Sequence, residues 1–160
     1  TNEQFDPRLS WEDVRWVKQQ WGGKLILKGI MEVEDAVLAA NNGADAIVVS
    51  NHGGRQLDGA PSSIAALPAI VDAVGDKLEV WMDGGIRSGQ DVLKARALGA
   101  HGTMIGRSFL YGLGAFGQAG VTRALEIIQK ELDVTMAFCG RTQIDQVDQS
   151  ILLPGTFPTA

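Results

Sequence analysis

Four short apolar segments, each followed by a helical pattern, recur along this chain and limit the folds it can adopt. The segments occupy residues 25–27, 46–49, 79–82 and 102–105. Apolar runs of this length, bounded by glycine or polar residues, are typical of buried strands. Strands that alternate regularly with helices build an α/β fold around a parallel sheet. The sequence therefore predicts four consecutive βα units.

The helical segments carry the start and stop signals of globular helices. Ser10 is a candidate N-cap with Asp13 at the capping-box position, and Ser88 is a second N-cap. Gly43 and Gly99 each follow a helical segment, as C-terminal glycines commonly do. We predict helices over residues 11–21, 32–42, 62–74, 89–98 and 116–139, and an irregular segment over residues 141–160.

Four βα units correspond to half of a (β/α)8 TIM barrel, which needs about 200 residues or more to close. The 160 residues of this chain suffice for one domain, residues 1–160, but not for a complete barrel. Four parallel strands alone would leave two open edges and an apolar inner face. We therefore expect another polypeptide, either an N-terminal half-barrel or a second copy of this chain, to complete the fold. The alternative architecture is a small, doubly wound open sheet with helices on both faces.

Charge and cysteine content argue against several classes of function. The formal net charge of −5 argues against nucleic acid as a partner, since binding to phosphate backbones normally needs a basic surface. The single cysteine, Cys139, cannot form an intrachain disulfide or a multi-cysteine metal site. No apolar run is long enough to span a bilayer, and residues 1–5 lack the features of a signal peptide. These features indicate a cytoplasmic protein without a metal site.

The most informative run is residues 50–58, Ser-Asn-His-Gly-Gly-Arg-Gln-Leu-Asp, which directly follows the second predicted strand. Residues at the C-terminal ends of parallel strands face the ligand crevice of α/β proteins. His52 and Arg55 are therefore candidates for a base and a fixed cation. Gly53 and Gly54 allow the backbone to turn close to a ligand. The alternative is an ordinary polar loop with a solvated arginine.

Two glycine-arginine motifs follow the third and fourth predicted strands. One contains Gly84, Gly85 and Arg87, and the other contains Gly106 and Arg107. In barrels, the loops after the last two strands and a helix N-terminus commonly build a phosphate site. Free backbone N–H groups and guanidinium groups both suit a phosphate. We therefore predict a phosphate site here, with ordinary strand-to-helix turns as the alternative.

Three further polar residues lie close to strand ends. Lys28 follows the first predicted strand and is either a ligand-binding cation or a lysine at the barrel rim. Asp83 follows the third strand and either binds a ligand hydroxyl, caps a helix or pairs with Arg87. His101 precedes the fourth strand, so we expect it on the surface at the opposite end of the sheet.

Several of these runs together resemble one enzyme family. They are Leu9-Ser10-Trp11, Leu27-Lys28-Gly29, residues 50–58, Asp83-Gly84-Gly85-Ile86-Arg87 and Ile105-Gly106-Arg107. Over nearly its whole length, the chain resembles the C-terminal half of the FMN-dependent α-hydroxy-acid dehydrogenases and oxidases. Within that family, residues 57–59 and 109–112 favour the bacterial L-lactate dehydrogenase branch.

The resemblance implies oxidation of a short L-2-hydroxy acid, with L-lactate as the expected substrate, to the 2-oxo acid. His52 would contact the substrate as the catalytic base, and Arg55 would bind the substrate carboxylate through two hydrogen bonds. Imidazole, with an ordinary pKa of about 6.5, suits a base at neutral pH. Lys28 and Ser50 would contact the flavin ring, and Asp83 would hold the ribityl chain. The FMN phosphate would be held by Gly84, Gly85, Ile86, Arg87, Gly106 and Arg107.

The resemblance also implies partners and a location. FMN is the implied cofactor and a small 2-hydroxy acid the implied substrate, while the family's N-terminal half supplies the remaining active-site groups. We expect a homo-oligomer, a tetramer as in many family members, in the cytoplasm or peripherally bound at the inner face of the membrane. Two other functions stay open. One is a half-barrel that binds FMN or another phosphorylated ligand without turnover, and the other is a different flavin barrel enzyme, such as an isomerase.

Overall fold

The computed structural model describes residues 8–157, and its centre is a four-stranded parallel sheet. The strands are β1 (Ile26–Ile30), β2 (Ala46–Val49), β3 (Glu79–Met82) and β4 (Gly102–Thr103), and they lie side by side in that order. Each strand pairs in parallel with the next strand along the chain. Consecutive parallel neighbours, each followed by a helix, are the repeating unit of a (β/α)8 barrel.

Within residues 8–157 the chain forms five α-helices. They are α1 (Trp11–Trp21), α2 (Val33–Asn41), α3 (Ser63–Val74), α4 (Gly89–Ala97) and α5 (Arg107–Phe138). Short 3₁₀ turns occupy His52–Gly54, Ile144–Gln146 and Gln149–Ile151. Ser10 and Ser88 cap α1 and α4, each in a capping box with an aspartate three residues later. Both predicted N-caps are confirmed.

The apolar core lies between the sheet and the helices. Ile47, Val49, Val80 and Met82 alternate along β2 and β3 and are buried in one cluster with helix residues. The helices contribute Ala36, Ala39, Leu67, Ile70, Val74, Ala95 and Leu98 to that cluster. Helices α2, α3 and α4 all contribute to this one cluster, so they lie on the same face of the sheet. The predicted half-barrel of four βα units is confirmed, and the doubly wound alternative is wrong.

The other face of the sheet carries a row formed by Lys28, Val48, Trp81 and Gly102, which the parallel register places side by side. Trp81 lies against Gly102, where a Cβ atom would come within 2.6 Å of the indole. Ile26, on the same face, is 58% exposed. The part of the chain that the structure describes leaves this face partly open. Completion of the fold by another polypeptide stays a prediction.

Three elements differ from their predicted bounds by two residues or more. β1 extends to Ile30 because Lys28 and Ile30 both pair with β2 around an irregularity at Gly29. β4 has two residues instead of four, because it lies at the edge of the sheet and pairs with β3 alone. α5 begins at Arg107 instead of residue 116. The predictions for β2 and β3 are confirmed at both ends.

α5 consists of two helical segments joined by a sharp break at Phe116 and Gly117, where the backbone angles are not helical. The segments cross at Gly112 and Gly120, where a Cβ atom on either glycine would overlap the carbonyl group of the other. Glycine has a low helix propensity, which explains why the sequence pattern misses the first segment. That first segment places Arg107 at a helix N-terminus.

Asp45 links the N-terminal end of the sheet to α1. Its carboxylate pairs with Lys18 and, at 3.1 Å, with Lys24, and it accepts a hydrogen bond from the Leu25 N–H at 2.7 Å. The hydrogen bond from Lys18, followed by those from Leu25 and Lys24, holds the pKa of Asp45 well below its ordinary value of 3.8. The carboxylate is therefore a fixed, charged anchor at neutral pH.

The lowered pKa of Asp45 predicts a loss of stability in acid. A carboxyl group whose pKa is lower in the folded chain stabilises the fold above its unfolded pKa, and this contribution is lost as the pH falls through the folded pKa. We expect the free energy of unfolding to fall below about pH 4, and to fall less steeply in Asp45→Asn. Urea unfolding across the acid range measures both slopes. Equal slopes would contradict the assignment.

The crossing within α5 predicts opposite effects for two substitutions. A methyl group at Gly120 meets the Gly112 backbone, so Gly120→Ala should lower the free energy of unfolding by about 1–3 kcal/mol. Gly114 lies in the same helix with open space around its Cβ position, so Gly114→Ala should raise it by about 0.5–1 kcal/mol. Chemical denaturation measures both changes. An equal loss in the two variants would argue against a close crossing.

Candidate active site

The C-terminal ends of the strands open into one cleft of about 710 Å³. Residues that follow parallel strands meet at the same edge of the sheet. All the predicted site residues except Ser50 line this cleft, namely Lys28, His52, Arg55, Asp83, Gly84, Gly85, Ile86, Arg87, Gly106 and Arg107. The fold thus brings together motifs that are far apart in the sequence.

Lys28 connects three strands at the cleft. Its ammonium group pairs with Asp83 Oδ2 at 2.8 Å and donates a hydrogen bond to Ser50 Oγ at 2.7 Å. Ser50 is 1% exposed, and its hydroxyl also accepts a hydrogen bond from the His52 backbone N–H at 3.2 Å. The partner of Asp83 is therefore Lys28 and not Arg87, and Lys28 is held by specific contacts instead of lying free at a rim.

The second oxygen of the Asp83 carboxylate lacks a partner. Asp83 Oδ1 is buried and accepts no hydrogen bond from residues 8–157. A buried acceptor without a donor costs about 1–3 kcal/mol, so such atoms usually have a partner. Because Asp83 lines the cleft, a hydroxyl group of a ligand bound there is a candidate donor to this oxygen.

His52 begins a tight turn in a strained backbone conformation. Among the described residues it is the one non-glycine residue with a positive φ, at 55°. Its imidazole lies over Gly29 of β1, where a Cβ atom would come within 2.6 Å of the ring. Neither ring nitrogen has a hydrogen-bond partner within residues 8–157. An exposed imidazole with a free nitrogen can accept a proton from a ligand.

Three arginines give the cleft a concentrated positive charge. Arg55, Arg87 and Arg107 line it, and none of their side chains pairs with a carboxylate of the described chain. With Lys28 they make four cations against one carboxylate, although the whole chain has a net charge of −5. Unpaired guanidinium groups in an acidic protein indicate an anionic ligand.

The two glycine-arginine motifs form one wall of the cleft. The space beyond the Cβ positions of Gly85 and Gly106 is open, so a ligand can approach their backbone closely. Arg107 is the first residue of α5, and its guanidinium lies 3.4 Å from the Cβ position of Gly53. The arginine at the helix start therefore also contacts the turn that carries His52.

Sequence reasoning missed several residues around the cleft. The Ser108 hydroxyl donates a hydrogen bond to the Ile86 carbonyl at 3.1 Å and so joins the loop after β3 to α5. Ile86 itself is 5% exposed and belongs to the core, so it offers the cleft its backbone and little of its side chain. Met104 and Leu110 add an apolar part to the wall. None of the predicted site motifs includes Met104, Ser108 or Leu110, and the positions of Ser108 and Leu110 depend on where α5 starts.

Residues outside the cleft have structural surroundings. His101 is exposed at the start of β4, and its Nδ1 accepts a hydrogen bond from the Val80 N–H at 3.2 Å. Its predicted surface location is confirmed. Cys139 follows α5 and is half-buried against a second, smaller apolar cluster. No cluster of His, Cys, Asp or Glu within residues 8–157 could hold a metal ion.

The sequence is similar to those of several bacterial enzymes. L-lactate dehydrogenase of Caulobacter sp. (strain K31) is 56% identical over 148 residues, which cover 92% of this chain and 39% of that protein. Pre-mycofactocin synthase of Mycolicibacterium smegmatis is 50% identical over 155 residues, which cover 96% of this chain and 39% of that protein. The chain thus spans about two fifths of the length of these relatives.

Solved structures share the fold. The monotopic membrane protein (S)-mandelate dehydrogenase superposes with a TM-score of 0.90 at 39% identity, covering 94% of this chain and 40% of that one. A mandelate oxidase variant with the monooxide FMN adduct superposes with a TM-score of 0.84 at 48% identity. This superposition covers 88% of this chain and 45% of that one. These partial coverages agree with the predicted fragment of a TIM barrel.

A model of one family matches almost the entire chain. The FMN-dependent dehydrogenase model covers residues 1–154. This match confirms the family resemblance that the sequence motifs indicate. It also confirms FMN as the cofactor of that family. The chain is a member of the FMN-dependent dehydrogenase family.

Proposed function

We propose that this chain forms the FMN- and substrate-binding side of an enzyme that oxidises a short L-2-hydroxy acid, L-lactate first of all, to the 2-oxo acid. One observation carries the proposal: His52 and Arg55 lie three residues apart in the same cationic cleft, and neither the imidazole nor the guanidinium has a hydrogen-bond or ion-pair partner within residues 8–157. A protein that oxidises a 2-hydroxy acid needs a base that takes a proton and a cation that binds the carboxylate. The relatives named L-lactate dehydrogenase support the choice of substrate.

The residues of the cleft fit FMN. Arg87 and Arg107 offer guanidinium groups to a phosphate, beside the open backbone of the glycine motifs. The unpaired Asp83 Oδ1 offers an acceptor to a ribityl hydroxyl. Ser50 does not line the cleft, so we propose that it acts by fixing Lys28. The residues proposed to contact FMN are Lys28, Asp83, Gly84, Gly85, Ile86, Arg87, Gly106 and Arg107, and Ser50 acts through Lys28.

In this proposal, Arg55, His52 and Lys28 each have a separate role in the reaction. Arg55 binds the substrate carboxylate through two parallel N–H···O bonds and orients the neighbouring hydroxyl. The C2–H and O–H bonds of the substrate break as the C2=O bond forms; a ring nitrogen of His52 takes one of these hydrogens as a proton, and the other leaves with the two electrons. FMN, when bound, supplies the two-electron acceptor. The ammonium group of Lys28 places positive charge where negative charge develops during that transfer.

The proposal includes the partners and the location of the protein. An N-terminal half-barrel or a second copy of this chain would complete the sheet, within a homo-oligomer such as a tetramer. The described residues contain no helix long and apolar enough to cross a membrane. A cytoplasmic location, with peripheral binding at the inner face of the membrane, is proposed because one similar structure is that of a monotopic membrane protein.

A second candidate function is a half-barrel that binds FMN without turnover. The observation that favours it is the partly open inner face of the sheet in residues 8–157, where Ile26 is 58% exposed. The visible absorption spectrum separates the two functions. Flavin absorption that bleaches when L-lactate is added without oxygen supports the enzyme, and flavin that binds but does not bleach supports the half-barrel.

Substitution of His52 tests the proposed base. His52→Gln should bind FMN as the wild type does but slow flavin reduction by L-lactate by about 100- to 10,000-fold, the range for loss of a general base. The measurement is anaerobic stopped-flow absorbance. His101→Gln, at the only other histidine of the chain, is the matched control and should react at the wild-type rate. Full activity in His52→Gln would overturn the proposed mechanism and favour another flavin enzyme.

The unpaired arginines predict an anion site that a simple probe can detect. Inorganic phosphate should raise the thermal-unfolding midpoint of the wild type, because a ligand of the folded state stabilises it. Arg87→Gln and Arg107→Gln should each lose most of that shift. Arg123→Gln is the matched control, since Arg123 lies on α5 and already pairs with Glu126 at 3.2 Å. Equal shifts in all four proteins, measured by scanning fluorimetry, would contradict the phosphate site.

A further inference from the structure

We infer that Asn51 is a positioning residue for His52 and that Ser63 links this pair to the loop containing Gly84. This inference rests on the proposed function, because it concerns how the side chain of the proposed base, His52, is held in position. Neither residue carries a reacting group. The Asn51 side chain makes hydrogen bonds with Gly53 and Pro61, and Ser63 accepts a hydrogen bond from the Asn51 backbone.

The turn that begins at His52 needs outside support. A positive φ at a residue with a side chain is strained, and it persists only where the surroundings fix it. The His52 N–H donates to Ser50 Oγ at 3.2 Å, which fixes how the chain enters the turn. The peptide that follows His52 must be fixed as well. Without a contact there, the backbone after His52 would change direction and φ of His52 would return to an unstrained value.

Asn51 supplies that second contact with both ends of its side-chain amide. Its Oδ1 accepts a hydrogen bond from the Gly53 N–H at 3.0 Å, directly after His52. Its Nδ2 donates to the Pro61 carbonyl at 3.1 Å, which anchors the turn to the segment before α3. Aspartate can make the first of these hydrogen bonds but has no donor for the second.

Ser63 extends the link to the proposed cofactor loop. Its hydroxyl is 2% exposed and accepts a hydrogen bond from the Asn51 backbone N–H at 3.2 Å. A Cβ atom at Gly84 would lie 2.9 Å from Ser63 Oγ and 3.2 Å from Asn51 Oδ1. The loop proposed to bind FMN therefore packs directly on the two groups that hold the turn. Geometry at the cofactor loop and at His52 is coupled through this contact.

The first test replaces Asn51 in the flavin-loaded protein. Asn51→Ala should keep its FMN content, read from visible absorbance, but reduce flavin with L-lactate about 100-fold more slowly, the cost of a misplacement of about 1 Å. Asn51→Asp should recover part of the rate. In NMR spectra, the imidazole signal of His52, assigned by its loss in His52→Gln, should move in Asn51→Ala while that of His101 stays.

The second test uses adjacent serines and a milder change. Ser63→Ala removes the acceptor for the Asn51 N–H, so it should slow flavin reduction and move the His52 signal in the same direction as Asn51→Ala. Ser62→Ala is the matched control, because the exposed Ser62 side chain makes no capping hydrogen bond. It should match the wild type in rate and spectrum. If Asn51→Ala does not retain flavin, the comparison of Ser63→Ala with Ser62→Ala tests the positioning role instead.

The outcomes separate this inference from the proposed function. If His52→Gln loses activity while Asn51→Ala and Ser63→Ala keep both the rate and the His52 signal, the positioning role is wrong and the proposed function stands. A slow Asn51→Ala with an unmoved His52 signal also overturns the inference. If His52→Gln stays active, the proposed function fails, and the imidazole signal alone decides whether Asn51 positions His52.

Discussion

The parallel register of four consecutive strands is the constraint on which the rest of the structure depends. It places Lys28 of β1 beside Val48 of β2 and Val48 beside Trp81 of β3. Two residues further along β2 and β3, the same face carries Ser50 and Asp83. The ammonium group of Lys28 reaches both of them because every strand points in the same direction. A shift of one residue in any strand would turn these side chains to the opposite face.

Among the described residues, the charged groups are paired at one end of the sheet and largely unpaired at the other. At the N-terminal end, the carboxylate of Asp45 is satisfied by two lysines and a backbone N–H. At the C-terminal end, Arg55, Arg87 and Arg107 face the cleft without a carboxylate partner among the described residues, and Asp83 Oδ1 has no donor. Repulsion between like charges and an unsatisfied acceptor both destabilise the folded chain. A bound anion with hydroxyl groups would relieve both, which supports the proposal that the C-terminal end is the functional one.

Local sequence signals predicted the parts of the fold that depend on local interactions. The boundaries of β2 and β3 and the capping serines Ser10 and Ser88 follow from neighbouring residues alone. The start of α5 could not be predicted in the same way, because Gly112 weakens a helix locally but is needed where two helical segments cross. The extension of β1 depends on pairing with β2 around Gly29. The residues of the cleft were found by motif, whereas the contact of Asn51 with Ser63 exists only in the folded chain.

The cleft also depends on side chains that are absent. Gly29 leaves room for the imidazole of His52, and Gly84 leaves room for the Ser63 hydroxyl of α3. At both positions a group from a different βα unit occupies the space that a Cβ atom would need. Part of the high glycine content, 20 of 160 residues, thus reflects close approach between units as well as turns. A methyl group at either position would collide with the neighbouring unit, so the close packing of these units requires glycine there.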